Sequence, residues 1–117
     1  MKYEIAVLAS QKLLSQALHS ILDQGPYVLY ELDSMDGVAR YMQGREKGLL
    51  IVDLDTEHVN NAVLREVKKK HPITIIAISS EQFHPGLEEA FRHHIFACLT
   101  KPLDSQELLY MLKSVFT

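Results

Sequence analysis

The sequence lacks the features that mark several large classes of protein. It has one cysteine, Cys98, among 117 residues, so no intrachain disulfide can form. No apolar stretch approaches the roughly 20 residues of a membrane span, and the N-terminus has no signal-peptide core. Twelve basic and fifteen acidic residues give a net charge of −3, without the clustered basic face typical of nucleic-acid binding. We therefore expect one cytoplasmic domain, residues 1–117, that binds neither nucleic acid nor membrane.

Short apolar runs alternate with helical patterns along the whole chain. The runs predict strands at residues 3–8, 27–32, 49–53, 73–78 and 95–99. The helical patterns predict a first helix capped by Ser10, three helices over about residues 34–43, 57–70 and 85–94, and a last helix that Asp104 opens. This alternation predicts a doubly wound α/β domain with five parallel strands and helices on both faces of the sheet.

Three of the predicted strands are followed by residues that carry phosphate chemistry. Asp53 ends the third strand, Ser79 follows the fourth, and Lys101 follows the fifth. In a parallel sheet the functional crevice lies outside the carboxyl ends of the strands, so these side chains are expected to converge. A carboxylate, a hydroxyl and an ammonium can together accept, hold and charge-balance a phosphoryl group. The sequence therefore predicts a phosphoryl site at this edge.

With Asp53, Ser79 and the pair Lys101-Pro102 in this order, the chain resembles the receiver domain of two-component response regulators over its whole length. The resemblance implies a flavodoxin-like (βα)5 fold with strand order 2-1-3-4-5. It also implies that Asp53 is the phosphoacceptor, Ser79 the hydroxyl switch and Lys101 the counter-charge. Such a domain is a signalling module rather than an enzyme. A histidine kinase or phosphotransfer protein would be its donor, and the fourth helix, fifth strand and fifth helix its output surface.

The chain departs from this family where the family binds Mg²⁺. Two adjacent acidic residues normally follow the first strand, but here the positions are Ala9 and Ser10. Mg²⁺ would then depend on Asp53 and on the backbone carbonyl of Asp55, and the ion prefers a full octahedron of oxygen ligands. The aromatic residue expected three positions before the lysine is replaced by Cys98. We expect Mg²⁺ binding to be weak or absent and phosphorylation to be slow or absent.

Two alternatives remain open at this stage. The first is a pseudo-receiver, in which the fold serves as a phosphorylation-independent interaction or dimerisation module. The second is a haloacid-dehalogenase-type phosphatase, whose nucleophile motif resembles residues 53–56, although Glu57 stands where that motif expects threonine or valine. In either receiver interpretation, Leu87 and Phe91 on the fourth helix are the residues to test for exposed apolar area. A homodimer and an effector domain in a longer chain are the further partners that the resemblance implies.

Overall fold

The structure is a computed structural model that describes residues 2–57, 59–81 and 87–116. Five strands alternate with helices in chain order: β1 (Tyr3–Leu8), α1 (Lys12–Leu22), β2 (Tyr27–Glu31), α2 (Gly37–Met42), β3 (Gly48–Asp53), α3 (Asn61–Lys70), β4 (Ile73–Ser79), α4 (Glu88–His93), β5 (Ala97–Thr100) and α5 (Ser105–Phe116). All paired strands are parallel and the sheet order is β2-β1-β3-β4-β5. The predicted fold class and strand order are therefore confirmed.

The sheet separates two apolar layers, and alternate residues of β3 point into each of them. Leu50 and Val52 belong to the layer that is covered by α2, α3 and α4, while Leu49 and Ile51 belong to the layer under α1 and α5. All four side chains are fully buried. Burying one such side chain contributes about 1.5–3 kcal/mol. This two-sided packing fixes the central strands and so fixes the positions of the residues at their carboxyl ends.

Two of the wrongly predicted helix starts, those of α1 and α3, lie beside this edge of the sheet. Ser10 does not cap α1: the cap position is Gln11, which makes no side-chain capping bond, and Ser10 instead donates to Glu57. Helix α3 starts at Asn61 rather than near Glu57, because the side chain of Asn60 accepts the N–H of Val63 and caps the helix there. Residues 54–57 are thereby left to form a turn against the strand ends.

Other boundaries moved for local reasons. Helix α2 begins at Gly37 instead of residue 34, because the Ser34 hydroxyl accepts the Asp36 N–H in a turn before the helix. Strand β5 begins at Ala97 instead of residue 95, because Ile95 N–H still bonds to the Ala90 carbonyl at the end of α4. The predicted start of the fourth helix at residue 85 lies outside the described residues. Asp104 caps α5, as predicted, by accepting the N–H groups of residues 106 and 107.

The residues named as candidates for exposed apolar area are not the most exposed ones. Leu87 is only 7% exposed and packs in the core, and Phe91 is partly buried. Phe96, in the turn before β5, is 58% exposed, and Tyr110 on α5 is 73% exposed. Among the described residues, no helix has the length and apolar character that crossing a bilayer requires.

Candidate functional site at the carboxyl edge of the sheet

The strand ladder brings the three predicted site residues to one edge. Asp53 lies opposite Ile78 in the β3–β4 pair, and Ser79 lies opposite Thr100 in the β4–β5 pair. The backbone N–H of Lys101 donates to the Ser79 carbonyl at 2.9 Å, which continues the β4–β5 ladder by one residue. Asp53, Ser79 and Lys101 therefore converge as the sequence predicted, each held by main-chain bonds of the sheet. Their roles in phosphoryl chemistry remain predictions.

Asp53 is wholly buried, and both of its carboxylate oxygens already accept hydrogen bonds. Oδ1 accepts the backbone N–H of Asp55 at 3.0 Å and lies 3.1 Å from Nζ of Lys101. Oδ2 accepts the hydroxyl of Thr56 at 2.7 Å. A buried charge is stable only when it is paired and hydrogen-bonded, and this one is both. In this arrangement the carboxylate is shielded from solvent, so an incoming phosphorus atom would have to displace the turn that covers it.

Lys101 balances two carboxylates. Its Nζ lies 3.1 Å from Asp53 Oδ1 and 3.0 Å from Asp55 Oδ2, and its side chain is 21% exposed. Burial alone would lower the pKa of Lys101, but hydrogen bonds to Asp55 and Asp53 outweigh it and the pKa is raised. Lys101 is thus held in its charged form. One ammonium against two carboxylates leaves the site with one net negative charge.

The side chain of Asp55 joins the turn after β3 to the turn after β4. Its Oδ2 accepts the backbone N–H of Ser80 at 2.9 Å, and its Oδ1 lies 3.4 Å from the hydroxyl of Ser79. That same hydroxyl accepts the N–H of Glu81 at 3.0 Å. Desolvation would raise the pKa of Asp55, but hydrogen bonds from Lys101 and Ser80 lower it below its usual value. Asp55 therefore remains ionised while it bridges two turns.

The contacts of the Asp55 and Thr56 side chains were not predicted from the sequence. Only the backbone carbonyl of Asp55 was expected to have a role, as a metal ligand. A signal was present for part of this turn, because an aspartate often accepts the backbone N–H two residues later, and Asp53 does so here. The contacts of Asp55 with Lys101 and Ser80 carry no local sequence signal, since their partners come from other strands.

On the other side of the edge, the two residues that follow β1 carry no charged side chain. Ala9 has no polar side chain, and the hydroxyl of Ser10 donates to Glu57 Oε2 at 2.8 Å. Mg²⁺ requires near-octahedral oxygen ligands, yet both oxygens of Asp53 already accept hydrogen bonds. Within residues 2–57, 59–81 and 87–116, no group of three or more His, Cys, Asp or Glu side chains is placed to hold a metal ion. The donors present therefore do not fit Mg²⁺ in this arrangement.

Comparisons with known proteins agree with this architecture. The family "Response regulator receiver domain" matches residues 5–113. A signal receiver domain of an HD domain-containing protein from Pseudomonas fluorescens is similar with 25% identity and a TM-score of 0.78, covering 97% of this chain and 94% of that one. A CheY-like receiver domain from Methylobacillus flagellatus has 15% identity and a TM-score of 0.77, with 98% and 99% covered.

A response regulator from Thermotoga maritima is 12% identical with a TM-score of 0.80, and 98% of each chain is covered. At such low identity these two structures support the fold alone. A search of curated proteins found no significant match. The family match covers most of the sequence and includes Asp53, Ser79 and Lys101. The chain therefore belongs to the response regulator receiver domain family, whose members are generally non-enzymatic signalling modules.

Proposed function

We propose that this receiver domain signals through protein contacts that do not require a phosphoryl group on Asp53. The observation that carries the proposal is the state of Asp53 itself. The residue is wholly buried. Its two carboxylate oxygens accept hydrogen bonds from the Asp55 N–H and the Thr56 hydroxyl, and one of them forms an ion pair with Lys101. No acidic side chain follows β1, where Ala9 and Ser10 stand. The same fold then acts as a pseudo-receiver in a two-component pathway.

Electrostatics support this proposal. The site already has one net negative charge, because Asp53 and Asp55 face a single ammonium from Lys101. A phosphoryl group brings further negative charge. Two unit charges at 4 Å repel by about 4 kcal/mol at an effective dielectric constant of 20. Without a divalent cation to offset this repulsion, phosphoryl acceptance on Asp53 would be slow.

The partner surface is proposed to be the face formed by α4, β5 and α5. Phe96 lies in the turn that leads into β5, and Tyr110 lies on α5, and both are exposed. Aromatic residues at protein surfaces commonly anchor protein contacts, because they bury a large area at a small cost in conformational entropy. A second copy of this chain, a histidine kinase or phosphotransfer protein, or an effector domain would be the partner.

Self-association in solution tests the protein-contact function. We expect sedimentation equilibrium to give the same dimer dissociation constant for wild type and Asp53→Asn, and a weaker dimer for Tyr110→Glu. Leu13→Glu is the matched control, because Leu13 is similarly exposed, at 74%, but lies on α1. A dimer that changes on Asp53→Asn and ignores Tyr110→Glu would overturn the proposal.

A second candidate is phosphoryl acceptance on Asp53, favoured by the 3.1 Å contact between Asp53 Oδ1 and Lys101 Nζ. In that reaction a carboxylate oxygen of Asp53 attacks the phosphorus of a phosphohistidine. The P–O bond forms as the P–N bond breaks, and the imidazole leaves with the electron pair. Ser79 would then donate its hydroxyl hydrogen to a phosphoryl oxygen. A Mg²⁺ titration separates the two candidates: saturable shifts of the Asp53 and Ser79 amides at millimolar Mg²⁺ favour phosphoryl acceptance, and their absence favours the pseudo-receiver.

A further inference from the structure

The turn after β4 is held by an anion that belongs to this chain. The carboxylate of Asp55 lies 3.0 Å from Nζ of Lys101 and accepts the Ser80 N–H at 2.9 Å. Ser79 Oγ lies 3.4 Å from the same carboxylate. An ammonium, a backbone N–H and a hydroxyl, contributed by the ends of two different strands, thus surround a single negatively charged group.

Two of these donors, Lys101 and Ser79, are the groups expected to bind a phosphoryl group on Asp53. Lys101 contacts Asp53 and Asp55 at almost the same distance, so the two carboxylates lie next to each other at one ammonium. Ser79 is wholly buried. An oxyanion bonded to Asp53 would therefore meet the carboxylate of Asp55 among the groups that should bind it.

We propose that the Asp55 carboxylate is an internal ligand of this oxyanion-binding site, occupying the Lys101, Ser79 and Ser80 donors in place of a phosphoryl group. The inference deepens the proposed function, since it gives the reason why the turn after β4 needs no phosphate to be drawn towards β3. The depressed pKa of Asp55 agrees with this role, because hydrogen bonds from Lys101 and Ser80 favour its ionised form over the opposing effect of burial.

The chemistry of the site predicts what it binds once Asp55 is removed. Replacing Asp55 by alanine takes away one negative charge and vacates the space between Lys101 and the Ser80 N–H. The remaining donors suit a small tetrahedral oxyanion, because charge-assisted hydrogen bonds from an ammonium and an oriented backbone N–H are the usual means of binding phosphate. Inorganic phosphate is therefore the probe.

The test is a phosphate titration of ¹⁵N-labelled protein without divalent cations, following the Ser80 and Lys101 amides. We expect Asp55→Ala to bind phosphate saturably and at least tenfold more tightly than wild type, and Asp55→Ala with Lys101→Met to lose this binding. Amide exchange at Ser80 should become faster in Asp55→Ala and slow again when phosphate is added. A residue that only braced the turn would produce the faster exchange but not its reversal by phosphate.

Glu57→Gln is the matched control, because Glu57 lies in the same turn but its carboxylate contacts Ser10 rather than the donors. It should bind phosphate no better than wild type. Asp55→Ser, which also removes the carboxylate and shortens the side chain, serves if the alanine variant does not fold. The inference is overturned if neither Asp55 variant binds phosphate more tightly than wild type, or if Glu57→Gln gains as much. The phosphate titration uses Asp55 variants and free phosphate, whereas the proposed function is tested on the wild-type site and on Asp53→Asn. The further inference and the proposed function can therefore fail independently.

Discussion

At the carboxyl edge of the sheet, the residues at the ends of β3 and β5 differ from those after β1 in charge and in the contacts that they make. At the carboxyl ends of β3 and β5, the side chains of Asp53, Asp55 and Lys101 form a compact ion cluster. After β1, Ala9 and Ser10 provide no charge, and a hydrogen bond from Ser10 to Glu57 joins this side to the turn after β3. The carboxylates of Asp53 and Asp55 are therefore paired with Lys101 without any contribution from Ala9 and Ser10. In this domain the buried Asp53 carboxylate is paired with the Lys101 ammonium.

The largest effect should come from removing the only ammonium that contacts both carboxylates among the described residues. Lys101→Met leaves Asp53 buried without its ion partner, and breaking a buried pair in this way costs about 3–5 kcal/mol. Urea unfolding should give a loss of about 3 kcal/mol in the free energy of unfolding. Adding Asp53→Asn should recover most of it. Lys12→Met, at an exposed lysine in α1, is the control, and an equally small change in both single variants would contradict the account.

Adding two carboxylates after β1 should strengthen Mg²⁺ binding at this edge of the sheet. Ala9→Asp together with Ser10→Asp places two carboxylates where the family has its acidic pair. We expect the Mg²⁺ dissociation constant to fall at least tenfold, equivalent to about 1.4 kcal/mol, in a titration followed by amide shifts. The uncharged pair Ala9→Asn with Ser10→Asn should show no such gain. Equal Mg²⁺ affinity in the two double variants would show that the missing negative charge after β1 does not limit Mg²⁺ binding.

Breaking the hydrogen bond that joins the two sides should have a small and local effect. Glu57→Gln weakens the acceptor of the Ser10 hydroxyl, and a typical hydrogen bond contributes about 0.5–1.5 kcal/mol in all. Amide shifts should be confined to Ser10 and the turn after β3, leaving Ser80 unchanged. Large shifts at Ser80 would show that the two sides are coupled more strongly than the Ser10–Glu57 contact accounts for.

An ion cluster between α3 and α4 provides a separate test through its pH dependence. Glu89 on α4 accepts hydrogen bonds from Arg65 and lies 2.9 Å from His94 Nε2, and these bonds lower its pKa to about 2. A depressed folded pKa stabilises the protein above the unfolded value of about 4.5, and this contribution is lost as the pH falls towards 2. Glu89→Gln should flatten the dependence of unfolding on pH in that window, and an unchanged slope would contradict the assignment.

The sequence predicted the fold and the main site because both follow from strand order. Apolar runs located all five strands, and a parallel sheet necessarily brings Asp53, Ser79 and Lys101 to one edge. It could not predict the contacts of Asp55, because they depend on how the turns after β3 and β4 pack together. The Ser10–Glu57 contact joins residues 47 positions apart, and it displaced the capping role that local pattern assigned to Ser10. The local sequence pattern gave the wrong role for Ser10 because its hydroxyl makes a contact across the edge of the sheet instead.

The most direct test of the central claim is the intact mass of the protein after incubation with acetyl phosphate, with and without Mg²⁺. In the reaction a carboxylate oxygen of Asp53 would attack phosphorus and release acetate. Asp53→Asn is the control, since it removes the proposed nucleophile. The account predicts no phosphate adduct in the folded wild-type protein under either condition. An adduct that requires both Mg²⁺ and Asp53 would contradict it and would establish a working phosphoacceptor.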